Sequence, residues 1–155
     1  MGSGNRGNFG KTKGSSIAEM VKKDNIITKE KDLIKELKSN NIKFNKDEMK
    51  FITKDSSGQT IWLESGNSFA GFKHIIERHG NDFKKAFDIN SEQIPSKIKK
   101  VITNGKIINT SENKIGYTKV YKYKSKYYLV TGIGYNGFIV SAYPYDKKGG
   151  KYDKD

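Results

Sequence analysis

Cysteine is absent from the 155-residue chain. That removes disulfides, thiolate nucleophiles and every cysteine-ligated zinc site at once. Histidine is scarce, with two copies, and no other side chain has an unperturbed pKa near neutrality. Acid–base chemistry at pH 7 therefore has few candidate carriers. Acidic residues are outnumbered, 17 Asp+Glu against 30 Lys+Arg, leaving a formal net charge of +13. The apolar fraction is 34%, below the ~45–50% of ordinary globular chains, and the mean hydropathy is −0.79. No apolar run approaches the ~18–20 residues of a membrane span. No positive–apolar–small pattern of a signal peptide stands at the start, and no internal repeat is visible. What is present is the length of one domain with a short extension. An aromatic fraction of 12% is enough to build a core. An excess of positive charge points to an anionic partner, whether nucleic acid, an acidic membrane surface or an acidic protein. Lys- and Asn-rich usage from an AT-rich genome gives the same composition with no partner at all.

Residues 1–16 carry glycines at 2, 4, 7, 10 and 14 and read as a flexible linker or cloning lead. Residues 146–155 read as a disordered tail. Between them, 17–45 read as a helical segment and 46–145 as the functional domain. A short helix is predicted over 17–23. A second is predicted from an N-cap at Thr28, with Leu33, Ile34 and Leu37 as its apolar stripe and Asn40-Asn41 as its end. Residues 48–64 read as a hairpin turning at Asp55–Gly58. Ser68 is a predicted N-cap for a helix that Gly80 stops, with Phe69, Phe72, Ile75, Ile76 and His79 along one stripe. A separate short helix is predicted over 81–87, and another over 91–103 with Pro95 in its first turn. Strands follow at 107–108, 117–123, 127–131 and 138–143, with a hairpin turn at Gly134–Gly137. The fold class is α+β, with helices and a hairpin on a four-stranded antiparallel sheet.

Charge is concentrated in one part of this layout. Residues 97–126 hold nine lysines and one acid, Glu112, and so carry +8 of the +13. Tyr117, Tyr121, Tyr123, Tyr127 and Tyr128 interleave with them. Lysines attract phosphates through counterion release, and aromatic faces stack single-stranded bases. A solvated sheet face with tyrosines as strand formers is the plain alternative.

Both histidines lie in Gly71-Phe72-Lys73-His74-Ile75-Ile76-Glu77-Arg78-His79-Gly80. A zincin site needs histidines at i and i+4; five positions turn the rings about 140° apart on an ideal helix. Phosphodiester chemistry fits the residue types better. RNA cleaved by its own 2′-hydroxyl needs a general base, a general acid and cationic donors, with no protein nucleophile. His74 and His79 are the acid–base candidates in either order, and Arg78 shares a face with His74. His79, placed at the helix end, would feel the negative end of the macrodipole. Ser141 and Tyr143 share a strand face. Thr131 joins them or not according to the register of the Gly134–Gly137 hairpin.

The stretches Gly58–Glu64, Gly71–His79 and Asn136–Pro144 resemble the carboxy-terminal toxin domains of bacterial polymorphic and contact-dependent inhibition systems. Within those, the likeness is to the barnase, EndoU, colicin and RelE-like ribonuclease superfamily, over roughly residues 45–145. The resemblance implies helices packed on a twisted sheet. It implies metal-independent RNA cleavage, often of tRNA, to a 2′,3′-cyclic phosphate, with no cofactor. It also implies a cognate immunity protein, here expected to be acidic. By position it supplies His74, Arg78, His79, Ser141 and Tyr143 as catalytic candidates, with Thr131 beside them. Lys119, Lys122, Lys124, Lys126, Tyr123 and Asn136 are the substrate-binding candidates. The expected protein is a monomer without stable membrane insertion, delivered at the tip of a larger secreted or surface protein and active in the target-cell cytoplasm. The rival expectations are a non-catalytic RNA- or ribosome-binding module and a deoxyribonuclease toxin.

Overall fold

The structure is a computed structural model, and it describes residues 29–145. The linker expected over 1–16, the helix over 17–23, the Thr28 cap and the tail over 146–155 lie outside the described residues.

Residues 29–39 are helical (α1). Asn41 ends the helix in the left-handed region at φ 57°, where asparagine is tolerated. The Ile42 N–H closes onto the Leu37 carbonyl at 3.0 Å. Strands β1 (Met49–Lys54) and β2 (Thr60–Glu64) form the expected hairpin. Alternation gives it two apolar faces: Phe51, Ile61 and Leu63 on one, Ile52 and Trp62 on the other. Helix α2 spans Phe72–Phe87 and α3 spans Ile94–Asn104. A 3₁₀ turn precedes α3, where Asn90 and Gln93 cap each other reciprocally. Strands β3 (Lys106–Glu112), β4 (Gly116–Tyr123), β5 (Tyr127–Gly134) and β6 (Ile139–Pro144) make an antiparallel sheet in that order.

The main core lies between the sheet, α2, α3 and one face of the hairpin. Tyr121, Leu129, Ile133, Ile139 and Ala142 of the sheet meet Ile75, Phe83 and Phe87 of α2 and Ile98, Val101 and Ile102 of α3. Fully burying one such large apolar side chain stabilises the fold by ~1.5–3 kcal/mol. The other hairpin face packs on α1, where Trp62 and Ile52 meet Leu37 with Phe138 beside them. The hairpin is thus held between two apolar clusters. The α+β arrangement of helices and hairpin on a four-stranded antiparallel sheet agrees with the sequence-based expectation.

Three expectations about α2 are corrected. Ser68 does not cap it; Gly71 does, at φ 92°. A side chain there would place its Cβ 2.9 Å from the Glu64 carbonyl oxygen, so the close approach demands glycine. Nor does Gly80 stop the helix, which runs on through Asn81 to Phe87. The reason is tertiary. Phe83 and Phe87 extend the stripe of Ile75 into the core, and their burial outweighs the ~1 kcal/mol that glycine costs in a helix interior. A Cβ at Gly80 would find Ile76 Cγ2 at 3.8 Å, an ordinary contact. Gly80→Ala is therefore expected to stabilise the protein by ~0.5–1 kcal/mol, read as a higher denaturation midpoint. A lower midpoint would mean that the helix breaks at this position. Phe69, expected on the apolar stripe, precedes the helix and is 83% exposed.

Candidate active site

The start of α2 is tied to strand β6. The Gly71 N–H donates to the Val140 carbonyl at 3.0 Å, and Asn67 Oδ1 accepts from the Phe69 and Ala70 N–H groups just before it. Eight residues on, His79 lies against Tyr143 of the same strand. Helix α2 therefore runs beside β6, and its side chains meet those of that strand at a seam.

His79 is held from two sides. Its Nδ1 stands 3.0 Å from Asp82 Oδ2, and its ring stacks on Tyr143 with centroids 5.0 Å apart and planes at 28°. An ionised carboxylate only accepts, so Nδ1 carries the hydrogen, leaving Nε2 to exchange a proton. The imidazole keeps 25% of its side-chain surface exposed, enough for a substrate to reach it. This histidine is the eighth of sixteen helical residues. Macrodipole effects fade within the last turn, so the expectation that the helix end acts on His79 falls with the helix boundary it assumed.

His74 is anchored differently. Its Nδ1 donates to the Ser68 carbonyl at 2.9 Å, which again leaves Nε2 as the proton-exchanging atom. Arg78 is exposed and lines a separate groove of about 350 Å³ with Glu77, Asn81, Lys84 and Asn90. Ser141 and Tyr143 project from one face of β6, opposite Gly132 and Val130 of β5. Thr131 does not join them. A three-residue turn, Tyr135–Gly137, and one extra residue in β6 pair it with Ala142 on the core side. There it is 1% exposed and donates to the Lys119 carbonyl. So the seam joins His79 with Tyr143, and Ser141 lies two residues up the same strand face.

The lysine candidates divide. Lys119 points inward: its Nζ donates to Asp55 Oδ2 (2.8 Å), Gln59 Oε1 (2.8 Å) and Ser57 Oγ (3.1 Å), which takes up all three donors. Tyr121 adds its hydroxyl to the same Asp55 oxygen at 2.8 Å. Burial alone would raise the Asp55 pKa. The bonds from Lys119, Ser57 and Tyr121 overcome that and hold it below the usual carboxylate range. Tyr121 is pushed the other way, upward, first by burial and then by the Asp55 charge. Lys122 lies over the Tyr128 ring at 5.5 Å, on the sheet face opposite Lys119. Lys124 and Lys126 stand at the β4–β5 turn over Tyr123 (5.2 Å) and Tyr127 (5.3 Å). Tyr123 and Tyr127 stack on one another at 6.2 Å, and Lys97 of α3 covers Tyr127 at 3.9 Å. The Lys97 and Lys126 charges lower the Tyr127 pKa, chiefly that of Lys97. Asn136 sits in the β5–β6 turn, where its Oδ1 accepts the Phe138 N–H.

Residue pattern alone did not reveal Asp82 or Asp55. The Asp82 signal was present as His-x-x-Asp at helical spacing, hidden by the helix end assigned to Gly80. Asp55 gave only a turn signal, because its partner Lys119 lies 64 positions away. Among the described residues, no three His, Asp or Glu side chains group so as to hold a metal ion. Nor is any described helix long and apolar enough to cross a membrane.

Residues 58–149 match the family described as phage-Barnase-EndoU-ColicinE5/D-RelE like nuclease. The match covers more than half of the chain and spans α2, α3 and the whole four-stranded sheet. The chain belongs to this nuclease family. No curated protein matches it. Within the nuclease, the matched region holds both histidines, Arg78, Asp82, Ser141 and Tyr143, whereas β1, Asp55 and α1 precede it.

Proposed function

We propose that this nuclease is a ribonuclease toxin whose reaction centres on the seam between α2 and β6. The observation that carries the reading is the His79 imidazole, fixed between the Asp82 carboxylate and the Tyr143 ring with Nε2 left for proton exchange. In the proposed reaction, the substrate 2′-hydroxyl attacks its own phosphorus and gives its proton to one imidazole. The 5′-oxygen leaves with a proton from the other, and the product is a 2′,3′-cyclic phosphate. His79 is one proton carrier, and His74 is the candidate for the other, across the turn of about 140° that five positions of unbroken helix set between them. Ser141 and Tyr143 donate hydroxyl bonds to the phosphate oxygens on which the charge builds. No metal or cofactor enters this scheme. The substrate is RNA, with tRNA as the class to test first. An acidic immunity protein would meet the basic surface through charge complementarity. Delivery from a larger bacterial protein into a neighbouring cell completes the proposal.

The test is to incubate the protein with tRNA and, in parallel, with plasmid DNA, each with and without EDTA. RNA cut to 2′,3′-cyclic phosphate ends in both conditions, with the plasmid intact, is the expected result. Plasmid cleavage, or loss of RNA cleavage in EDTA, overturns it. RNA bound but left uncut returns the protein to a binding role.

A further inference from the structure

A groove of about 500 Å³ opens at the Asp82 end of the seam. It lies between the last turns of α2, which give it Asp82, Lys85 and Phe87, and the edge of the sheet, where the β4–β5 turn gives it Lys126 and the end of β6 gives it Pro144 and, one residue on, Tyr145. Its link to the seam is built into the chain. Asp82 both lines the groove and binds His79 Nδ1, and Pro144 directly follows the Tyr143 that stacks on His79. Two cations from separate elements, Lys85 of α2 and Lys126 of the β4–β5 turn, line this one space. Among the described residues, the only acid lining it, Asp82, is turned to His79. Beyond Lys126 the positive surface continues through Lys97 and Lys124, which stand over Tyr127 and Tyr123. Those ring faces are taken by lysine heads and by one another. A base would have to displace a lysine to stack there, whereas a phosphate would meet the lysines as they stand.

We infer that this groove is a second phosphate subsite, in which Lys85 and Lys126 hold the phosphate next to the one at His79. The RNA strand then leaves the seam along the β4–β5 turn. The inference rests on the ribonuclease reading above for the position of the first phosphate. Its own content is the direction of the strand and the pair of lysines.

The test compares a Lys85→Ala/Lys126→Ala double variant with a control, Lys31→Ala/Lys35→Ala, which removes two exposed lysines from α1. Binding of a labelled 12-nucleotide single-stranded RNA with 2′-O-methyl riboses, which lacks the attacking hydroxyl and stays uncut, is followed by anisotropy across a salt series. Each phosphate contact on a single strand contributes about 0.7 to the slope of log K against log salt. The groove pair is expected to lower the slope by about 1.4 and to raise Kd about tenfold or more at low salt, with the wild-type melting temperature kept. The control pair is expected to move both values far less. Equal effects from the two pairs overturn the subsite, since charge alone would then explain them. The outcome is separable from the ribonuclease reading: loss of groove binding with cleavage unaffected by His79→Ala would sink the seam and keep the groove. Intact binding in the groove variant alongside a dead His79→Ala would do the reverse.

Discussion

Lys119→Met is expected to destabilise the protein by about 3–5 kcal/mol, measured by urea or thermal unfolding. The lysine side chain is 6% exposed and its partner Asp55 is 0% exposed. Methionine fills most of the volume but leaves the Asp55 carboxylate buried without its counter-charge. The residual bonds to Asp55, from the Ser57 N–H and hydroxyl, the Gln59 N–H and the Tyr121 hydroxyl, are neutral ones. A second variant separates charge from lost bonding. Asp55→Asn/Lys119→Met keeps the oxygen that receives the Ser57 and Gln59 N–H groups and removes the stranded charge, while the Tyr121 hydroxyl can turn to accept. That double variant is expected to regain at least half of the loss. If the single and double variants lose equally, the missing lysine bonds and not the bare charge set the cost.

The same pair fixes the sign of an acid effect. The folded pKa of Asp55 lies below its ordinary value because its hydrogen-bonding partners overcome burial. Its contribution to stability is therefore present in full above the unfolded value of ~3.9, and is lost as pH falls from there through the folded one. In Lys119→Met the balance turns over. Burial, the largest influence on Asp55, is then opposed by the neutral Ser57 and Tyr121 bonds alone and is expected to carry its pKa above the unfolded value, so that acidification relieves the strain. The stability deficit of the variant against wild type is expected to shrink as pH falls from 7 toward 5. A deficit that stays constant over that range would mean that Asp55 is not stranded.

Where the sequence pattern succeeded, short-range physics decided the element. The β1–β2 hairpin followed from alternation around Asp55–Gly58, α3 from Pro95 and its apolar spacing, and the strands of the sheet from Tyr/Val/Ile alternation between glycine and asparagine turns. Where it failed, a distant contact decided. Gly80 has the local marks of a helix end, and only the burial of Phe83 and Phe87 against the sheet carries α2 past it. Ser68 has the marks of an N-cap, but before the helix can begin the chain comes so close to Glu64 at Gly71 that a Cβ there would stand 2.9 Å from the Glu64 carbonyl oxygen. The extra residue in β6 that turns Thr131 away from Ser141 leaves no trace in the spacing of either strand. Among the lysines near Tyr117–Tyr127, nothing local distinguished Lys119. Its inward turn depends on an aspartate in another layer of the fold.

His79→Ala is expected to lower RNA cleavage by about 10²–10⁴-fold, the usual worth of a positioned general acid or base. Melting should change little, because the side chain is partly exposed and its bond is to an exposed Asp82. Three further variants test how the imidazole works. Asp82→Asn keeps a partner within reach of Nδ1 but removes the carboxylate that holds the hydrogen there, so a smaller loss is expected, together with an altered pH–rate profile. Tyr143→Phe keeps the stacked ring and deletes the hydroxyl. Normal activity in it would assign Tyr143 to holding the imidazole and leave the phosphate to Ser141. His74→Ala decides between one proton carrier and two. If both imidazoles act, each single variant loses one limb of a bell-shaped pH profile, and the double variant loses little more than the worse single. If His74→Ala cleaves like wild type with an unchanged profile, His74 serves only to hold the Ser68 loop. The second proton must then come from another group at the seam. If His79→Ala itself retains wild-type cleavage, the seam between α2 and β6 is not where this nuclease does its chemistry.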